Sequence, residues 1–161
     1  MMVFTCRDEA VAALTGPDAD ARKAAADYLA EDGGEAATQA LVAALGSSLT
    51  DIQINAAEAL GNCQNLAAIE PLKAVLLNAA ASAPTRQTAA RSLGRLGSPD
   101  GIEALLGTIQ AVIDDPERTD HNVVRAAARA LGDIAPRIGD ELQRGRAVDG
   151  LLRLLEAWWT P

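Results

Sequence analysis

Few side chains in this sequence have the type and spacing that chemistry requires. His121 is the one histidine, and no second histidine or cysteine pair stands near it, as a zinc site would need. It reads as a solvated or helix-capping residue, with a ligand or base role as the alternative. Cys6 and Cys63 are far apart and make no disulfide framework. Cys63 reads as a small buried hydrophobe rather than a reactive thiol. Neither Ser nor Cys finds a plausible triad partner. The Gly-rich turns lack the Lys-Ser/Thr pair and the preceding strand of a phosphate loop. Carboxylates are many, but acid–base work needs a desolvated pair in a pocket. These residues predict no catalytic side chain, no metal ligand and no cofactor, and hence a protein that is not an enzyme.

Charged residues at repeated spacing are a better lead. Gln39, Glu70 and Glu103 each stand ten residues after a recurring leucine, and Asp149 joins them after an eight-residue shift. They predict a stripe of acid along one helix face, selecting a basic protein or peptide by charge complementarity. A plain solvated face is the alternative. Two residues before the same leucines stand Asp27, Glu58, Arg91 and Arg129, changing sign midway. Glu58 and Arg91 are expected to face each other, or to form only a solvated pair worth about 0–1 kcal/mol. Trp158 and Trp159 either fold back over the last apolar face or stand exposed as an anchor for another chain, so that self-association could run through that end.

The elements that must position these residues come from a phrase written four times. Its copies are Ala24-Ala25-Ala26-Asp27-Tyr28-Leu29, Ala56-Ala57-Glu58-Ala59-Leu60-Gly61, Ala89-Ala90-Arg91-Ser92-Leu93-Gly94 and Ala127-Ala128-Arg129-Ala130-Leu131-Gly132. The anchors Leu29, Leu60, Leu93 and Leu131 are 31, 33 and 38 residues apart, a solenoid period. Leu41, Leu72 and Leu105 follow twelve residues later, then Leu45, Leu76 and Ile109; in the fourth copy an eight-residue insertion moves these to Leu151 and Leu155, with Val148 in the slot of Ile69 and Ile102. Each copy reads as two amphipathic helices. Such a pair cannot bury its apolar stripe alone, so neighbours must stack. The Gly after the anchor is placed past a helix end. Pro136 ends or kinks a first helix, and Asp140 caps a long last one. One domain over 1–161 is expected, with a half repeat at 8–15 and repeats at about 18–46, 50–78, 84–113 and 120–159.

The phrase resembles HEAT repeats, in the short bacterial variety called phycobilisome-lyase HEAT-like repeats. Copy four matches through Val124, Arg125, Ala127, Ala128, Ala130, Leu131 and Gly132; copy three through Arg86, Ala89, Ala90, Leu93, Gly94, Ile102 and Leu105. Copy two has Gln53 for the Arg, and copy one has Ala30 for the Gly. The resemblance implies an all-α fold: a right-handed α-α superhelix of about four helix pairs plus an N-terminal half-repeat cap. It implies that the second helices line a concave face, and that an Asp/Arg ladder ties neighbours, with Arg22, Arg86 and Arg125 structural beside Asp20 or Asp120. It carries two further expectations, a bilin lyase-type or bilin-handling subunit and a DNA-lesion-binding protein.

Composition narrows these. Hydrophobic residues make up 49% of the 161 and aromatics 2%, so aliphatic and Ala packing must supply the stability. The formal charge of −8 disfavours nucleic acid, which needs a basic footprint. Residues 1–83 hold four basic and eleven acidic side chains (net −7), and residues 84–161 hold ten and eleven (net −1). Charges interrupt every apolar run well short of a membrane span of ~20 residues. No signal peptide is read at the start, so a cytoplasmic location is the default. The sequence thus points to a non-enzymatic scaffold presenting a shallow acidic groove to a protein or peptide.

Overall fold

The computed structural model describes residues 4–115 and 120–159, apart from the side chains of Val112, Trp158 and Trp159. The described residues form helices and no strand: α1 (Arg7–Leu14), α2 (Ala19–Asp32), α3 (Glu35–Ala44), α4 (Thr50–Asn62), α5 (Ile69–Leu77), α6 (Ala83–Leu96), α7 (Ile102–Asp114), α8 (His121–Ile134) and α9 (Glu141–Trp159). Several starts are fixed by short polar side chains. Asp18 Oδ1 accepts from the amides of Asp20 and Ala21, and Asp120 Oδ1 from those of Asn122 and Val123. Asp140 Oδ1 accepts from the Leu142 amide at 2.9 Å, the expected cap of the last helix. Such a cap contributes about 1 kcal/mol.

The first helices α2, α4, α6 and α8 pack one on the next, and α5, α7 and α9 do so in a second layer. α1 closes the start against α2 and α3, where the Phe4 ring meets Tyr28 edge-on at 5.8 Å. Leu29, Leu60, Leu93 and Leu131 lie in the core, each at most 1% exposed. Burying one such side chain contributes about 1.5–3 kcal/mol.

The glycines after the anchors do not end helices. Gly61, Gly94 and Gly132 lie inside α4, α6 and α8. A Cβ on Gly61 would sit 2.5 Å from Ser92 Oγ, and one on Gly94 2.9 Å from the Cα and Cβ of Ala130. The missing side chain lets first helices touch. Gly132 has open space around its Cβ position. The left-handed turn comes three residues later in the repeat, at Gly33 (φ 58°), Gln64 (φ 53°) and Gly97 (φ 67°).

A polar slot seven residues before each of the first three anchors ties neighbouring segments together. Arg22, buried, donates to the carbonyls of Gly16 and Pro17 behind it and to Asp51 of the next repeat ahead. Gln53 donates to the Ser47 carbonyl at 2.7 Å and accepts from Thr85 of the next repeat at 3.2 Å. Arg86 donates to the Leu76 carbonyl at 3.0 Å. The carboxylate partner of Arg22 is therefore Asp51 of the neighbouring repeat. The fourth occupant of the slot is Val124, fully buried, and Arg125 is exposed one position further on. The Arg22 guanidinium holds the Asp51 carboxyl below its usual range by hydrogen bonding, against the smaller opposing effect of desolvation.

The last helix departs from the expected register. Ala147 and Leu154 are buried, Leu151 is half-buried, and Val148 and Leu155 are exposed. The insertion shifts the core positions by seven residues rather than eight. Seven residues are close to two helical turns, so the inserted length keeps the inward face inward.

Candidate functional site

The second-helix layer carries two clefts. Between α3 and α5, Thr38, Gln39, Val42, Asn65, Ala67 and Pro71 line a hollow of about 400 Å³. Asn65 positions its wall by donating to Thr38 Oγ1 at 3.0 Å while accepting from the Ala67 amide. Between α7 and α9 lies a second, of about 350 Å³. Leu106, Ile109 and Ile113 give it apolar lining, and Glu103, Arg146, Asp149 and Arg153 give it charge. Two glycines shape it. Gly107 opens onto free space, and a Cβ on Gly150 would lie 2.2 Å from Leu106 Cδ2, so the helices close up beside the opening.

All four residues of the expected stripe are exposed on this layer. Gln39 lines the first cleft, and Glu103 and Asp149 share the second; Glu70 lines neither. Asp149 reaches this place although the corrected register puts Val148, not Asp149, in the slot of Glu70 and Glu103. The carboxylates do not stand bare. Glu70 pairs with Lys73 at 2.7 Å, Glu103 with Arg146 across the cleft at 2.6 Å, and Asp149 with Arg153 at 3.0 Å. Gln39 donates to Glu35 at 3.1 Å. The surface is one of alternating charge, a feature hidden from a register count because the cations come from other slots.

The other expected pair also moves. Glu58 meets Arg95 at 3.7 Å, one turn beyond Arg91, and Arg95 also donates to Asn62 at 3.1 Å. Arg91 donates to Thr88 Oγ1. Arg95 thus bridges two residues one turn apart on α4. Cys63 is buried, its Sγ donating to the Leu60 carbonyl at 3.1 Å, and Cys6 is exposed. His121 opens α8 beside its cap Asp120. Among the described residues no group of three or more His, Cys, Asp or Glu is placed to hold a metal ion, and no helix is long and apolar enough to cross a membrane. The side chains of Trp158 and Trp159, expected to cap the end or anchor a partner, lie outside the described residues.

Stacked helix pairs with clefts along one layer define an all-α solenoid. The family model of HEAT repeats matches residues 7–83 and 50–118, and the chain belongs to that family. It is 36% identical over 96 residues to deoxyhypusine hydroxylase-B of Oryza sativa subsp. japonica, a match covering 60% of this chain and 30% of that protein. Among solved structures it is similar to human deoxyhypusine hydroxylase in complex with glycerol (TM-score 0.68, 27% identity, 83% of this chain and 44% of that one). It is also similar to the complex of CpcE and CpcF of phycocyanin lyase from Nostoc sp. PCC7120 (TM-score 0.64, 26% identity, 98% and 66%). The chain spans less than a third of the curated relative and under half of the human enzyme.

These relatives overturn the expectation of a protein that is not an enzyme: they are a hydroxylase and a lyase. The repeated residues read in the sequence are those that build the stack, and a stack of this kind carries many activities.

Proposed function

We propose that this HEAT-repeat array recognises a protein segment through its second-helix layer, with the α7–α9 cleft as its centre. The observation that carries the reading is the lining of that cleft, which apolar Leu106, Ile109 and Ile113 share with the Glu103–Arg146 and Asp149–Arg153 pairs. Exposed ion pairs of this kind are worth only about 0–1 kcal/mol, so a partner's own charges exchange into them at little cost. Apolar lining supplies affinity and the rim of alternating charge supplies register. A basic segment is favoured by the overall charge of −8. Such a groove serves an enzyme's substrate as well as a scaffold's partner.

The test is capture of proteins from a native cytoplasmic extract, with Glu103→Lys/Asp149→Lys as the comparison. Loss of the captured protein from the variant, at unchanged helical circular dichroism, supports the reading; identical capture sinks it. A second reading, a subunit of a lyase-type assembly, is favoured by the likeness to the phycocyanin lyase complex over 98% of this chain. A shift in the absorbance of an added bilin would support it, and an unchanged spectrum would remove it.

A further inference from the structure

Two neighbouring first helices, α6 and α8, carry a cluster of arginines. Arg91 and Arg95 stand one turn apart on α6, and Arg125 and Arg129 one turn apart on α8; all four are exposed. The contact of Gly94 with Ala130 draws these two helices together. Arg91, Arg95 and Arg129 consequently surround a cleft of about 220 Å³ with Ala126 and Ala130 along it. Arg137 adds a fifth guanidinium, donating to the Arg95 carbonyl at 3.4 Å.

Little negative charge answers this cluster. Glu58 reaches Arg95 alone, and at 3.7 Å. Asp133 lines the cleft but forms no ion pair among the described residues, and the same holds of Arg91, Arg125 and Arg129. Like charges crowded by helix contact repel, and an anion seated among them relieves that repulsion. Guanidinium forks match carboxylates two hydrogen bonds at a time.

We propose that this α6–α8 cleft binds an acidic peptide segment of a partner, with Arg91, Arg95 and Arg129 taking its carboxylates. A short acidic segment fits better than a polynucleotide. The cluster spans two helices only, and the net −7 of residues 1–83 would repel a long polyanion running along the stack. The surface is distinct from the α7–α9 cleft, so the two readings stand or fall separately.

Fluorescence anisotropy of a labelled decaglutamate peptide, titrated with the full chain at low ionic strength, tests this. Binding is expected, weakening as salt is added. Arg91→Gln/Arg129→Gln should weaken it at least about tenfold with circular dichroism unchanged. Asp133→Asn should tighten it, and Lys23→Gln should leave it as it was. No change in anisotropy, equal affinity in the double arginine variant, or tighter binding of an oligothymidylate of matched length would each overturn the proposal.

Discussion

Gly61 and Ser92 touch across the α4–α6 boundary so closely that a methyl group on Gly61 would lie 2.5 Å from the serine oxygen and 2.6 Å from its Cβ. The same relation recurs between Gly94 and Ala130 one repeat later. At these two boundaries the residue after one anchor meets the residue before the next. Spacing between layers is thus set by the absence of atoms, not by a strong bond.

Gly94→Ala should therefore destabilise by about 1–3 kcal/mol, the usual cost of overpacking. Gly132→Ala, in the same phrase but facing open space, should be neutral or stabilise by about 0.5–1 kcal/mol through the higher helix propensity of Ala. Urea unfolding of the two variants decides it. Equal losses would mean that the glycine serves the helix itself rather than its neighbour.

Ser92 Oγ is buried and has no hydrogen-bond partner among the described residues. A buried hydroxyl left unmatched is a cost of folding. Ser92→Ala should raise the stability by up to about 1 kcal/mol. A clear loss in the same urea experiment would show that the hydroxyl has a partner, such as a trapped water.

The Arg22–Asp51 tie gives a pH signature. The Asp51 carboxyl is held below its ordinary value, chiefly by its hydrogen bond from Arg22. A depressed folded-state value means that the stabilisation is present above the unfolded value of about 3.9 and is lost as pH falls through the folded one. Asp51→Asn should melt below the wild type at neutral pH, and the gap should close in acid. A gap that stays constant down to that range would rule out the tie as a source of pH dependence.

The register of α9 can be checked by two neighbours. Leu154 is 5% exposed and Leu155 62% exposed. Leu154→Ala should cost about 2–5 kcal/mol, as a core truncation does. Leu155→Ala should stay within about 0.5 kcal/mol. The reverse order in thermal melts would restore the eight-residue shift.

How far the sequence reached depended on whether a residue's role was local. The repeat period, the paired helices and the burial of Leu29, Leu60, Leu93 and Leu131 follow from helical spacing and the need to hide an aliphatic stripe; composition and a cap such as Asp140 are equally local. Contacts between layers were another matter. Equivalent positions do not lie level in stacked helices, so Glu58 found Arg95 instead of Arg91. The glycine after the anchor has one meaning at a helix end and another inside a helix, and only the neighbouring Ser92 or Ala130 reveals which. A one-residue error in the α9 insertion rotates that helix by about 100°, which no local pattern detects.

The sequence by itself determined that this chain is a stack of helix pairs, because amphipathic periodicity is a property of each segment. Tertiary structure alone decided which charges meet, which faces open into clefts, and where arginines crowd together. Those depend on the offset between neighbouring helices, and that offset is fixed by the small side chains at their contacts.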